Sequence, residues 1–177
     1  MTLAVAIVGL VLAVASLVWQ AATFVLSGSR VKAALLVGTY RPDGLLTWKV
    51  EEVNNITPRP DALPVVVVQV TNSGRTDVDV VGWSLDFGEG ASLHPAPIGA
   101  SRPVPFRLQH GSQETLFLEL ARVYESAYAM YERPPSVGGV VRLGNGKTTM
   151  TRERLSMPPE DELQRLITSD SEGYDQD

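Results

Sequence analysis

The sequence predicts an N-terminal transmembrane helix followed by a mainly-β domain, an antiparallel β-sandwich with one short helix near residues 120–132. Three observations lead to this prediction: a long uncharged apolar run at the start, many short segments of alternating apolar and polar residues, and glycine- and proline-bearing turns between them. We expect four parts: a transmembrane helix over 3–26, the β-sandwich over 30–152, a short helix over 157–168 and a disordered acidic tail over 169–177.

The apolar run from Leu3 to Leu26 is long enough to cross a bilayer. As a helix it would span about 36 Å, against a hydrocarbon core of about 30 Å. No lysine or arginine precedes it, which disfavours a cleaved signal peptide, and no polar stripe recurs along it, which disfavours a buried core helix. Gly9 and Ala13 are a pair of small residues that would permit a weak homodimer.

The flanks of this run predict its orientation. Arg30, Lys32 and Arg41 follow the run, whereas no basic residue precedes it. Because cytoplasmic flanks carry the excess of lysine and arginine, we expect a single-pass protein with its β-domain in the cytoplasm. Arginine outnumbers lysine twelve to three, a bias typical of GC-rich genomes, so we expect the plasma membrane of a bacterium, with a phage origin left open.

The charge is concentrated at the C-terminus. The net charge of the chain is −5, of which residues from Glu160 onward contribute −6, so the remainder is close to neutral at +1. The body has no basic stripe with interleaved aromatic residues, so we expect no nucleic-acid partner. The chain has no cysteine and therefore no disulfide framework.

The first alternating segments predict a hairpin. Residues 31–37 and 46–50 alternate on either side of Arg41-Pro42-Asp43-Gly44, whose proline and glycine suit a turn. Ser27-Gly28-Ser29, before this hairpin, is interpreted as a short flexible joint. Residues 65–70 have apolar side chains at odd and at even positions, that is, on both faces of a strand, which predicts a strand deep in a sheet.

The next strand changes face near Gly82. Val78 and Val80 lie at even positions, whereas Trp83 and Leu85 lie at odd ones. Two interpretations stay open: a β-bulge, or two shorter strands that meet at Gly82. Residues 88–103 have no period and predict a loop.

The last third of the domain predicts more strands and one helix. Alternation returns at 104–108 and 116–120, on either side of a turn at 109–112. Helical spacing then follows to about residue 132, and Gly144-Asn145-Gly146 predicts a final hairpin.

The stretch Val68-Gln69-Val70-Thr71-Asn72-Ser73-Gly74, followed by Val78 and Val80, resembles the strand-turn-strand unit of bacterial immunoglobulin-like sandwich modules. The whole plan is similar to that of small single-span membrane proteins of GC-rich bacteria and their phages that carry such a sandwich. The resemblance covers most of residues 1–152. It implies an immunoglobulin-like β-sandwich and no activity.

Two motifs invite a chemical interpretation and favour a turn instead. Gly144 to Thr148 ends like a phosphate-binding loop, but Val141 stands where that motif needs glycine, and the following residues predict a strand. The only histidines, His94 and His110, lie in no cluster with metal-ligand spacing. His110 precedes Gly111 and Ser112, which favours a tight turn over a Ser-His-Asp site.

Four carboxylates form the last candidate site. Asp77, Asp79, Asp86 and Glu89 would hold calcium if they gathered at one end of the sandwich. The spacing of a calcium loop is absent, which favours outward strand positions for Asp77 and Asp79. We therefore expect no catalytic, cofactor-binding or metal-binding residues.

These observations predict a membrane-tethered, non-enzymatic β-sandwich that serves as an interaction or scaffold module for a partner protein. Tyr124, Tyr128 and Tyr131 form a stripe on the short helix, with core packing as the default and a partner surface as the alternative. Two other functions stay open: a structural phage or envelope component that self-assembles, and a hydrolase or metal-dependent enzyme built from scattered residues.

Overall fold

The computed structural model describes residues 2–26, 28–50, 62–95, 102–131 and 136–157. Residues 96–101 of the predicted loop, residues 158–168 of the predicted short helix and the predicted tail over 169–177 lie outside these residues. The described elements are, in chain order, α1 (Thr2–Leu26), β1 (Val31–Arg41), β2 (Gly44–Lys49), β3 (Leu63–Asn72), β4 (Val78–Gly88), β5 (Ala91–Leu93), β6 (Phe106–Leu108), β7 (Gln113–Glu119), α2 (Leu120–Met130), β8 (Gly138–Leu143) and β9 (Thr148–Met150).

The apolar run forms one helix, α1, as predicted. Its 25 residues extend for about 37 Å, long enough and apolar enough to cross a membrane. No part of Ala6–Thr23 is buried inside the protein, so α1 is not a core helix of the β-domain. Its polar side chains bond within the helix: Thr23 donates to the Trp19 carbonyl at 3.0 Å, and Gln20 to the Ser16 hydroxyl at 3.3 Å.

Two antiparallel sheets share one hydrophobic core, which confirms the mainly-β prediction. The first sheet has the order β2-β1-β3-β7 and the second β5-β4-β8-β9, with β6 also paired to β4. Leu35 and Val68 of the first sheet are buried in one cluster with Trp83 and Val141 of the second. We call this part of the chain, residues 31–157, the β-domain.

The sequence patterns explain the main strands. β1 and β2 form the predicted hairpin, closed by the Arg41–Gly44 pair. β3 lies between β1 and β7, and its residues 65–68 are at most 1% exposed, which confirms a strand buried on both faces. β4 is continuous, and its pairing with β8 shifts between Val80 and Gly82, as expected for a bulge and not for two strands.

The predicted loop over 88–103 is wrong in part, because it contains β5. Gly88 pairs with Ala91, and the two residues between them, Glu89 and Gly90, both have positive φ (50° and 84°). Two left-handed residues give the turn that best matches strand twist. A strand of three residues is too short for its period to be recognised in the sequence.

The short helix α2 lies within the predicted range and packs into the core. Val123 and Ala127 are fully buried, and Tyr124 is 5% exposed. Tyr131 packs against the core and donates its hydroxyl to the Gly88 carbonyl at 3.1 Å. Core packing, the default interpretation, therefore applies to Tyr124 and Tyr131, while Tyr128 is half-buried.

The core continues past residue 152. Leu155 is 1% exposed and exchanges two backbone hydrogen bonds of 2.8 Å with Val137. Arg154 donates to the Asp86 carboxylate at 3.2 Å and to the Ser136 carbonyl at 2.7 Å. These contacts attach residues 151–157 to the edge of the second sheet.

Candidate functional site

Three turns and the linker from α1 meet at one end of the β-domain. β1 begins beside the end of β3, in the Val31–Asn72 pair, and β4 begins beside the end of β6. β8 ends beside Val80, so its turn to β9 lies at the same end. We call this surface the linker end; its residues are 28–32, 72–79, 107–112 and 144–147.

Asn72 organises the linker end from inside. Its side chain is fully buried and donates to the carbonyls of Thr76 at 2.9 Å and Leu108 at 3.3 Å, while its oxygen accepts the Gly74 N–H at 3.0 Å. An asparagine side chain that takes over backbone hydrogen bonds stabilises a tight turn. The turn between β3 and β4 is therefore fixed by a satisfied polar side chain.

This turn binds the linker. The Ser73 N–H and hydroxyl both donate to the Arg30 carbonyl, at 2.9 and 3.1 Å, and the Arg75 N–H donates to the Gly28 carbonyl at 3.4 Å. A Cβ added to Gly74 would lie 2.5 Å from the Gly28 oxygen and 2.6 Å from the Ser29 Cα, too close for any side chain. Hydrogen bonds from a distant turn therefore attach Gly28 and Arg30, on either side of Ser29, to the β-domain, where the sequence predicted a flexible joint.

A second network closes the linker end. Asp77 accepts the His110 backbone N–H at 2.9 Å and the Arg107 Nε–H at 3.1 Å. The backbone N–H of His110, and then Arg107, hold the pKa of Asp77 below its ordinary value. The His110 ring bonds to the Gly74 carbonyl, and the Ser112 hydroxyl donates to Gln109. His110 is thus a turn residue, as expected.

The turn at 144–147 is a hairpin, which confirms the prediction against a phosphate loop. The Leu143 N–H donates to the Lys147 carbonyl at 2.9 Å, and Asn145 accepts the Lys147 N–H at 3.1 Å. Gly146 has a φ of 80°, and strand β9 follows. Asn145 and Lys147 also line a cleft of about 470 Å³ together with Asp77 and Asp79, which neither histidine lines.

The four candidate calcium ligands do not gather. Asp77 directly precedes β4 and Asp79 lies at its start, whereas Asp86 lies near its other end, about 23–30 Å away along the strand, and Glu89 directly follows that end. Asp79 is exposed beside buried Val80, so it occupies an outward position as expected. Within the described ranges, no group of three or more His, Cys, Asp or Glu residues is placed to hold a metal ion.

His94 lies away from His110, on the second sheet. Its Nε2 accepts a hydrogen bond of 2.6 Å from Arg142 Nη2, and its Nδ1 is 3.4 Å from the Ser92 hydroxyl. Leu93 pairs with Leu85, so His94 lies beside the far half of β4. His94 therefore bonds to Arg142 and lies near Ser92, whereas the contact of His110 with the Asp77 carboxylate is made through its backbone N–H.

The outward surface of the first sheet carries an apolar patch that the sequence interpretation missed. The rings of Tyr40 and Phe117 stack at 5.1 Å between centroids, reaching from β1 and β7 across β3. Val65 and Val67 face outward between them and are at most 1% exposed. We call Leu36, Tyr40, Leu63, Val65, Val67 and Phe117 the outer apolar face. Tyr40 and Leu63 remain 43% and 42% exposed.

No known protein-family model matches this chain, and no curated protein matches it.

Proposed function

We propose that this protein spans a bacterial plasma membrane once, through α1, and holds a non-enzymatic β-sandwich at the membrane surface, where the sandwich binds a partner protein. The observation that carries this proposal is α1 itself, in which no side chain between Ala6 and Thr23 is buried by the protein. A helix that is apolar on all sides and without protein contacts needs lipid around it.

The sheet orders support an immunoglobulin-like sandwich. β1, β3 and β7 follow one another in the first sheet as strands A, B and E do in that fold, and β5, β4, β8 and β9 follow as C′, C, F and G. β2 and β6 are additions to this plan. Such sandwiches serve many unrelated functions, so the function must be argued from the surface.

Hydrogen bonding favours a binding role over a catalytic one. Asp77 binds Arg107, Asp86 binds Arg154, and His110 bonds to a backbone carbonyl. Each of these groups holds a turn or a chain segment in place, whereas a catalytic base or nucleophile needs an accessible partner.

The outer apolar face is the surface we assign to the partner protein. Aromatic side chains are enriched at protein interfaces, and the stacked pair of Tyr40 and Phe117 presents a rigid apolar area. The face lies on the first sheet, whose outward side also exposes Leu63. A partner that covers it would contact residues from three neighbouring strands.

Affinity capture of the full chain from native membranes tests this assignment. Leu63→Asp places a charge on the outer apolar face, and Met150→Asp, at a residue 60% exposed on β9, is the matched control on the second sheet. We expect the same partner with the wild type and with Met150→Asp, and its loss with Leu63→Asp. Equal recovery of the partner with Leu63→Asp would refute this location.

We also propose that the β-domain lies in the cytoplasm. Arg30 and Lys32 are exposed and follow α1 closely. Lysine and arginine next to a span favour the cytoplasmic side.

Self-assembly is a second candidate function, favoured by one observation. β2 is an end strand of the first sheet, and its Leu46 is 51% exposed. Exposed apolar end strands promote pairing between copies. Light scattering of the detergent-solubilised full chain at several concentrations should show dimers or larger species if this is correct, and a constant monomer mass would exclude it. Gly9→Leu would separate dimerisation through α1 from pairing through β2.

A further inference from the structure

We propose that the linker end is a lipid-binding surface that docks on anionic headgroups and so fixes the orientation of the β-domain on the membrane. This inference rests on the proposed function, because it requires α1 to span the bilayer. It adds a binding surface that is separate from the outer apolar face.

The linker end lies within reach of the headgroups. Helix α1 ends at Leu26, and Gly28, two residues later, is already hydrogen-bonded to the turn between β3 and β4. Two residues extend by at most about 7 Å. The headgroup region is itself about 5–8 Å thick on each side of the hydrocarbon core, so a bound linker keeps this surface at the headgroups.

The side chains of the linker end are predominantly basic. Five of its charged residues are basic and exposed, and two are acidic. Of the acidic pair, Asp77 is already bound to Arg107. None of the basic residues other than Arg107 forms an ion pair with a described residue. The basic residues are Arg30, Lys32, Arg75, Arg107 and Lys147, and the acidic residues are Asp77 and Asp79.

The opposite end of the β-domain lacks this excess of basic residues. It is formed by the β1–β2 turn, the β4–β5 turn, the end of β7 with the start of α2, and residues 151–154. Its described charged residues are acidic at Asp43, Asp86, Glu89, Glu119 and Glu153, and basic at Arg41, Arg122, Arg152 and Arg154. The β-domain is therefore polarised along its strands, with the positive end next to α1.

Headgroup phosphates fit this surface better than other anions do. Arginine and lysine both bind phosphate oxygens, and each basic residue near an anionic leaflet strengthens binding about fivefold. Arg75 and Lys147 lie on separate turns. The backbone N–H of Arg75 donates to the linker at Gly28, and Lys147 lines the cleft together with Gly28 and Asp77. Several phosphates of a planar surface would contact these turns together, which a single soluble anion cannot do.

Site-specific quenching in lipid nanodiscs tests the proposal. The chain has no cysteine, so a single introduced cysteine can be labelled cleanly. A bimane label on Asn145→Cys reports the linker end, and the same label on Asp43→Cys reports the opposite end. The full chain is placed in discs of phosphatidylcholine, with or without phosphatidylglycerol, that carry a nitroxide on the lipid headgroup.

We expect phosphatidylglycerol to increase quenching at Asn145→Cys and not at Asp43→Cys, and high salt to reverse the increase. Adding Arg75→Ala and Lys147→Ala should lower the ratio of docked to undocked protein about 25-fold. The matched control, Arg122→Ala with Arg152→Ala, removes the same charge elsewhere and should have little effect.

Equal quenching in neutral and anionic discs, or an unchanged signal after Arg75→Ala and Lys147→Ala, would overturn the proposal. Failure of the chain to enter discs at all would instead refute the proposed membrane span. The two failures are therefore distinguishable in one experiment.

Discussion

Gly74→Ala tests the attachment of the linker to the β-domain. Gly74 does not have a left-handed φ, so alanine is allowed by the backbone at this position. Its Cβ, however, would lie 2.5 Å from the Gly28 carbonyl oxygen and 2.6 Å from the Ser29 Cα, distances that real Cβ atoms do not adopt. Either the turn must distort or the linker must leave it.

Both responses have a cost that the structure allows us to work out. Overpacking a tight contact costs about 1–3 kcal/mol. Release of the linker loses two Ser73–Arg30 hydrogen bonds and the Arg75–Gly28 hydrogen bond, worth about 1 kcal/mol each. We therefore expect Gly74→Ala to lower the free energy of unfolding of the β-domain by about 2 kcal/mol, within a range of 1–3 kcal/mol.

Denaturant unfolding of the full chain in detergent, followed through the near-UV circular dichroism of buried Trp83, measures this change. The rate of hydrogen exchange at the Ser73 and Arg75 amides should rise as well, because these amides donate hydrogen bonds to the linker. Gly82→Ala is the matched control: the nearest heavy atom to its Cβ is Arg142 Nε at 3.8 Å. A Gly74→Ala protein as stable as Gly82→Ala, with protected amides, would refute the bound linker.

Three further predictions concern charge. Asp77→Asn should destabilise the β-domain at neutral pH. Because the folded pKa of Asp77 lies below its ordinary value of 3.8, the ionised carboxylate stabilises the fold above that pH, and this stability is lost as the pH falls through the folded pKa. The difference in unfolding free energy between Asp77→Asn and the wild type, measured across pH, should therefore vanish in acid. Arg30→Ala with Lys32→Ala should weaken the proposed cytoplasmic orientation, so protease added to intact cells should digest part of the variant and none of the wild type. Ending the chain at Thr168, which removes 169–177, should leave the melting temperature unchanged and strengthen binding to anionic vesicles; a large loss of stability would show that the tail is structural.

The elements predicted correctly have local signals that leave few alternatives. α1 is apolar throughout, and residues 65–68 of β3 are valines, which suit a strand buried on both faces. The change of parity at Gly82 left a bulge and two shorter strands both open, and the continuous β4 with its shifted pairing decides for the bulge. β5 was missed because three residues carry no readable period.

The candidate surfaces were harder to predict because they depend on contacts between distant residues. Ser27-Gly28-Ser29 has the composition of a flexible joint, and nothing in it indicates that Ser73 and Arg75, more than 40 residues later, donate hydrogen bonds to Arg30 and Gly28. The outer apolar face had one usable signal: Leu36 and Tyr40 lie at the outward parity of β1. These two residues indicate an apolar patch only once Phe117 of β7 is known to stack on Tyr40 across β3.

Alkaline carbonate extraction followed by intact mass measurement tests the proposal that α1 remains in the protein and spans a membrane. We expect the whole chain to stay in the membrane pellet with residues 1–26 present. A variant with Leu12→Arg and Val14→Arg in the middle of α1 should move to the supernatant, because each charge near the bilayer centre costs about 3 kcal/mol. A wild-type chain released by carbonate, or one that lacks its first 26 residues, would contradict the claim.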